Sequence, residues 1–298
     1  MTGRSRVVLA ALACVVLAAC GSTSSGSSPS STSPSISPTA SAALAPFVPS
    51  ASSETYRPAG ARSGRLPVVV TIPGGGWQTA NREYLAPLAQ QLAAGGAFVV
   101  NSTYRAGEVG ALFPVALQDV RCAAGYAVAQ AKAAGFTPGP VVLVGHSAGG
   151  HLVALAAVSG DALPAPCADP VPHIDAAVGL AGVYDATAGS SLISTFFGVP
   201  RASDPALWDS GDPLHYVVTG KAPEPLRVLL VQGAADDVVP VSQATTFAAA
   251  LTKAGVPVTL DVLPRQTHMS VVDPAVVGSK VVAFVRALAL SSTATPAA

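Results

Sequence analysis

The sequence predicts an α/β domain with a mostly parallel sheet and helices on both of its faces. Short, uninterrupted apolar runs recur along the chain, as strands do when a parallel sheet buries them on both faces. Stretches of helical length separate most of these runs, which is the rhythm of βαβ units. Half of the 298 residues are hydrophobic, enough to fill one large core and leave a tail over.

Taken in order, the strand runs fall at 66–72, 97–103, 140–145, 176–180, 227–232 and 258–263. The first reads L-P-V-V-V-T-I and the third opens P-V-V-L-V, both rich in β-branched residues. Helical stretches fall at 84–94, 115–134, 148–158, 241–254 and 274–290. The segment 184–224 breaks the alternation, with Phe196, Phe197, Trp208 and Tyr216 among several prolines and no clear strand.

The chemistry-bearing residues sit where strands end. Gly145-His146-Ser147-Ala148-Gly149 lies between the 140–145 run and the helical stretch beginning at Ala148. A serine on such a strand–turn–helix junction projects its hydroxyl above the sheet, and flanking glycines keep side chains off the strained backbone. A serine nucleophile needs a base, and the base needs a third group to orient it. Asp236 follows the 227–232 run and His268 follows the 258–263 run. Asp236 is preferred to Asp237 because it comes first after its strand, whereas Asp237 reads as a solvent-facing or helix-capping residue. His268 alone among the histidines lies beyond the acid. His146 and His151 read as packing or hydrogen-bonding residues beside the turn, and His173 and His215 as loop positions. Pro73-Gly74-Gly75-Gly76-Trp77 follows the first run, where successive glycines let backbone N–H groups approach a substrate oxyanion. Ala148, next after the serine, would supply a further N–H.

Together these motifs give the chain a resemblance. P-G-G-G-W at 73–77, Tyr104-Arg105, Phe113-Pro114 with Asp119-Val120-Arg121, G-H-S-A-G-G at 145–150, G-A-A-D-D-V-V-P at 233–240 and His268 occur in sequence. Over about 53–290 the chain resembles the α/β-hydrolase esterases related to hormone-sensitive lipase and to the feruloyl/acetyl-xylan esterase (BD-FAE-like) group. The resemblance implies an α/β-hydrolase fold, Ser147 as nucleophile, Asp236 and His268 as its partners, and Gly75, Gly76 and Ala148 as the oxyanion hole. The expected activity is hydrolysis of carboxylic esters of short acyl or aromatic acids, free or attached to a polymer, through an acyl-enzyme and without cofactor. The chain departs from the family in having Pro73 where a histidine is usual, and in lacking the first of two opening antiparallel strands. Segment 184–224 then reads as a small lid insertion over the site, the alternative being a loop whose aromatics fill ordinary core. Trp77, Tyr104, Phe196 and Phe197 are candidates for the substrate pocket, Trp77 equally for a cover over the oxyanion loop. Asp119 and Arg121 read as structural, at a helix start or in an ion pair.

Arg4 and Arg6 precede an apolar stretch at 7–19, and Leu17-Ala18-Ala19-Cys20-Gly21 reads as a bacterial lipobox. The expected organisation is a signal peptide at 1–19, a Ser/Thr/Pro-rich tether at 20–52, the hydrolase domain at 53–290 and a disordered tail at 291–298. Lipid on Cys20 would anchor an exported protein at the outer face of the bacterial cell membrane. Of four cysteines, Cys14 goes with the leader and Cys20 with the anchor, so Cys122 and Cys167 are expected to pair in an oxidising exterior. No His/Asp cluster has the spacing of a metal site. A formal net charge of zero gives no reason to expect a nucleic-acid partner. Two other functions fit less well: an amidase or exopeptidase on the same three residues, and a catalytically silent binding lipoprotein.

Overall fold

A computed structural model describes residues 44–61, 63–188, 191–220, 222–223 and 225–293. The leader, Cys20, the first part of the tether and the end of the tail lie outside them. The described chain opens with α1 (Pro49–Ser52) and β1 (Ser53–Tyr56), then β2 (Gly64–Ile72), α2 (Ala86–Ala94), β3 (Phe98–Ser102) and α3 (Val115–Ala133). There follow β4 (Phe136–His146), α4 (Ala148–Ser159) and β5 (Ala176–Leu180). Three short helices, α5 (Ser191–Phe197), α6 (Pro205–Ser210) and α7 (Pro213–Val218), fill the stretch before β6 (Arg227–Gly233). The series ends with α8 (Val241–Lys253), β7 (Val258–Leu263) and α9 (Ser279–Thr293).

The strands lie in the order β1-β3-β2-β4-β5-β6-β7. All neighbours run parallel except β1, which pairs antiparallel with β3 from Ser53↔Ser102 to Tyr56↔Val99. This is the α/β-hydrolase fold, with one antiparallel strand at its opening edge among the described residues. Alternate residues of each strand feed opposite faces. Val68, Val70 and Ile72 of β2 join the core under α3, α4 and α8, while Val69 joins the core under α2 and α9. Strand β4 begins at Phe136, four residues before the apolar run that marks it in the sequence. Thr137-Pro138-Gly139 hides that start, and an irregularity in β2 between Leu66 and Val68 takes up the change of register.

Cys122 on α3 is disulfide-bonded to Cys167 in the loop beyond α4. Asp119, one turn earlier and almost fully buried, accepts from the Arg105 backbone N–H at 2.8 Å and from its guanidinium at 2.7 and 2.9 Å. Arg121 bonds the Gly160 carbonyl and lies 3.8 Å from Asp161. Both residues therefore stitch α3 to neighbouring loops. The stretch 274–291 is long and apolar enough to cross a membrane by length and composition alone. Its Val281, Val285 and Leu288 are instead buried against the sheet.

Candidate active site

Ser147 sits at the end of β4 with φ 54° and ψ −120°, a conformation costly for a residue with a side chain, by about 1–3 kcal/mol. Its backbone is clamped on both sides. The Ser147 N–H donates to Leu180 O at the end of β5, and Ser147 O accepts from His151 N–H in the first turn of α4. The clamp closes only because glycines flank it. A Cβ on Gly149 would lie 2.3 Å from the Ile72 carbonyl oxygen, and one on Gly145 would lie 2.2 Å from Gly149 O.

The serine opens into a cavity of about 550 Å³. Gly74, Gly75, Gly76 and Trp77 form one side of it, and His268 lies on its wall. His268 is buried, and its Nδ1 lies 2.9 Å from Asp236 Oδ2. Asp236 also accepts from Gln232 Nε2 at 2.8 Å and from the Val238 and Val239 N–H groups at 2.9 and 2.8 Å. Every contact it makes is thus as an acceptor. That assigns the His268 proton to Nδ1 and leaves Nε2 with a lone pair. Asp237 is exposed and faces none of this.

Gly75 and Gly76 have φ of 133° and 59°, in the region that favours glycine, and Trp77 follows at 59°. Ala148 is the first residue of α4, where a backbone N–H has no intrahelical acceptor. Gly75 and Gly76 line the same cavity as Ser147, and Ala148 follows the serine directly. Trp77 is both a cavity residue and a cover. It is buried, its ring meets those of His151 and Phe196, and its Nε1–H donates to His151 Nδ1 at 3.2 Å.

The BD-FAE family profile matches residues 54–251. The chain belongs to the BD-FAE family. Esterase LipQ of Mycobacterium tuberculosis is 30% identical to it over 210 residues, 67% of this chain and 49% of that protein. The chain spans about half the length of the curated relatives it matches. Among solved structures, a truncated carbohydrate esterase from gut microbiota has a TM-score of 0.66 at 22% identity, covering 80% of this chain and 90% of that one. Thermogutta terrifontis esterase 2, phosphoramylated by tabun, has a TM-score of 0.60 at 26% identity over 72% of this chain and 78% of that one.

In this BD-FAE chain, the expected pocket needs correction at three of its four residues. Tyr104, Phe196 and Phe197 are buried and do not line the cavity. Phe196 and Phe197 pack on Phe113, and Phe197 stacks on Trp208 with ring centres 4.3 Å apart. Large aromatics gain more by closing the gap between short helices and the core than by facing solvent. Of segment 184–224, Ala188 alone among the described residues reaches the cavity. The far wall comes from Val183, Val238, Val239, Pro240, Gln243 and Met269, which sequence reasoning left out. Four of these lie within three residues of Asp236 or His268 or close the G-A-A-D-D-V-V-P motif, so position beside a catalytic candidate was the available signal. Tyr84 and His146 also line the cavity, and Tyr84 had no such signal. Among the described residues no three His, Cys, Asp or Glu side chains are grouped to hold a metal ion.

Proposed function

We propose that this protein is a serine carboxylesterase acting on uncharged esters of short acyl or aromatic acids. The observation that carries the reading is the sharing of one cavity by Ser147 and His268, whose Nδ1 is held by Asp236. His268 Nε2 takes the Ser147 hydroxyl proton as Oγ attacks the ester carbonyl carbon. The resulting oxyanion receives N–H groups of Gly75, Gly76 and Ala148. Collapse breaks the C–O bond, and the alcohol leaves with the proton from His268. Water then attacks the acyl-enzyme, again with His268 as base. Asp236 remains a hydrogen-bond acceptor throughout.

The cavity wall supports the substrate class. Gln243, its largest amide, is spent on the chain: Oε1 accepts from Tyr184 N and Asp185 N, and Nε2 donates to Asp185 O. The remaining far wall is aliphatic or thioether, and among the described residues no Lys, Arg, Asp or Glu lines the cavity. A charged substrate group would be desolvated there without a partner.

Labelling by a fluorophosphonate tests the mechanism, encouraged by the organophosphorus adduct carried by the Thermogutta terrifontis relative. Wild type should label and Ser147→Ala should not, with turnover of p-nitrophenyl butyrate falling at least about a thousandfold. Unlabelled, well-folded wild type would remove the serine mechanism. The p-nitrophenyl monoester of succinate, which carries a carboxylate, should be turned over far more slowly than the butyrate. Equal rates would remove the charge argument, and faster cleavage of a matched anilide would favour an amidase.

Export and lipid anchoring belong to the same proposal, supported by the lipobox at 17–21. Cys20→Ser should abolish incorporation of labelled fatty acid in cells and release the protein from the membrane fraction; unchanged incorporation would sink the anchor.

A further inference from the structure

Gly74 begins the oxyanion loop, and the residue before it, Pro73, has neither a backbone N–H nor a polar side chain to fix the loop's entry. The structure holds that entry from elsewhere. The Gly74 N–H donates to Tyr84 Oη. The same oxygen lies 3.0 Å from His146 Nδ1, and His146 Nε2 lies 3.0 Å from the backbone carbonyl of His268. A carbonyl can only accept, so Nε2 carries the proton and Nδ1 is an acceptor. Tyr84 must then donate its own proton to Nδ1 while accepting from Gly74. Every proton in the chain is thereby assigned, and each donor has one acceptor. Burial keeps the two side chains in these states, pushing the Tyr84 hydroxyl up to about 12 and His146 down to about 4.

We infer that Tyr84 and His146 are positioning residues that tie the oxyanion loop to the backbone of the general base. This rests on the serine esterase reading. The chain runs from the loop that would hold the oxyanion, through the residue before the nucleophile, to the backbone of His268. Both side chains line the cavity beside Ser147 and His268, and the role inferred for them requires neither to touch the reacting atoms. The close fit leaves the loop little room to settle elsewhere. A Cβ on Gly74 would lie 2.7 Å from Ser147 Cβ, so the loop entry and the elbow are in direct contact. Loss of the tether would let the glycine N–H groups drift from where negative charge develops, and a donor out of place costs transition-state stabilisation while leaving ground-state binding nearly intact.

Tyr84→Phe removes one oxygen and keeps the ring. We expect kcat for p-nitrophenyl butyrate to fall about tenfold to a hundredfold, with KM within about twofold of wild type. The rate of fluorophosphonate labelling should fall in parallel, since the phosphonyl oxygen uses the same donors. His146→Gln, which retains one donor and one acceptor, should keep more of kcat than His146→Leu at similar melting temperature. An unchanged kcat in Tyr84→Phe overturns the inference. So does a rise in KM alone, which would make Tyr84 merely cavity wall, or a loss of rate that follows the unfolded fraction. If Tyr84→Phe does not fold, the two His146 variants decide: equal kcat values overturn it. Wild type that neither turns over ester nor labels removes the esterase reading, and this inference with it. An active wild type with an indifferent Tyr84→Phe removes this inference alone.

Discussion

His146 and His151, the two histidines beside the nucleophile, are held neutral by burial, each pushed down to about 4 from an ordinary 6.5. His151 Nε2 donates to Gly211 O and its Nδ1 accepts from Trp77, so a second ring proton would face another donor. As pH falls from about 6.5 to about 4, the unfolded chain binds protons that the native rings refuse, and stability is lost across that window. Asp212 opposes this. Burial raises its carboxyl from 3.8 to about 6, so the native state takes up its proton first and gains stability on acidification. Burial raises the Asp119 carboxyl as well. The histidine effect sets in first, near pH 6.5, so the melting temperature should fall as the pH drops from about 6.5 toward 6. Asp212→Asn, which can still accept from Ala186 N and Leu214 N through Oδ1, should steepen the fall. A flat profile in both proteins would contradict the assignment. At this scale the placement of Ser147, Asp236 and His268 beyond strand ends was legible, because each follows an unmistakable apolar run. It was illegible for Tyr84, whose role comes from a turn of the chain that no local pattern encodes.

At the scale of elements, the elbow is the tightest junction between β4 and α4. Gly149→Ala puts a methyl 2.3 Å from Ile72 O and 2.4 Å from Pro73 O, which are backbone atoms with no rotamer to yield. Destabilisation of at least about 2 kcal/mol is expected, with activity lost in the folded fraction as the loop at 73–77 is pushed away. Denaturant melts together with activity per folded molecule check both parts. The segment 184–224 shows where element reading stops. Its aromatics announce burial but not direction, and helices of six or seven residues are too short to display a periodic face. The signals present were Asp204-Pro205 and Asp212-Pro213, each an N-cap followed by a first-turn proline. These mark α6 and α7 without saying what they cover. The wall of the cavity was then assigned to the wrong aromatics.

For the whole molecule, the disulfide joins positions 45 residues apart, spanning β4 and α4. Closing a loop of that length in the unfolded chain is worth about 4 kcal/mol on the chain-entropy account. Reduction, or Cys122→Ser with Cys167→Ser, should lower stability by roughly that amount with kcat unchanged, since neither cysteine lines the cavity. Equal denaturation midpoints for oxidised and reduced protein would contradict this.

The placing of β7 at the far edge of the sheet has a consequence for how this protein fails. Ser147, the proposed nucleophile, follows β4, which has strands on both sides, but His268, the proposed base, follows a strand with one neighbour and no fully buried side chain. Edges open at lower free energy than centres. Warming or mild denaturant should therefore unseat the base while the serine stays in place, and catalysis should vanish before the circular dichroism of the core changes. In that interval the protein should be a folded body whose proposed nucleophile lacks its base, and cooling should restore activity without refolding. Coincident loss of activity and of core signal would show instead that the edge and the centre melt as one.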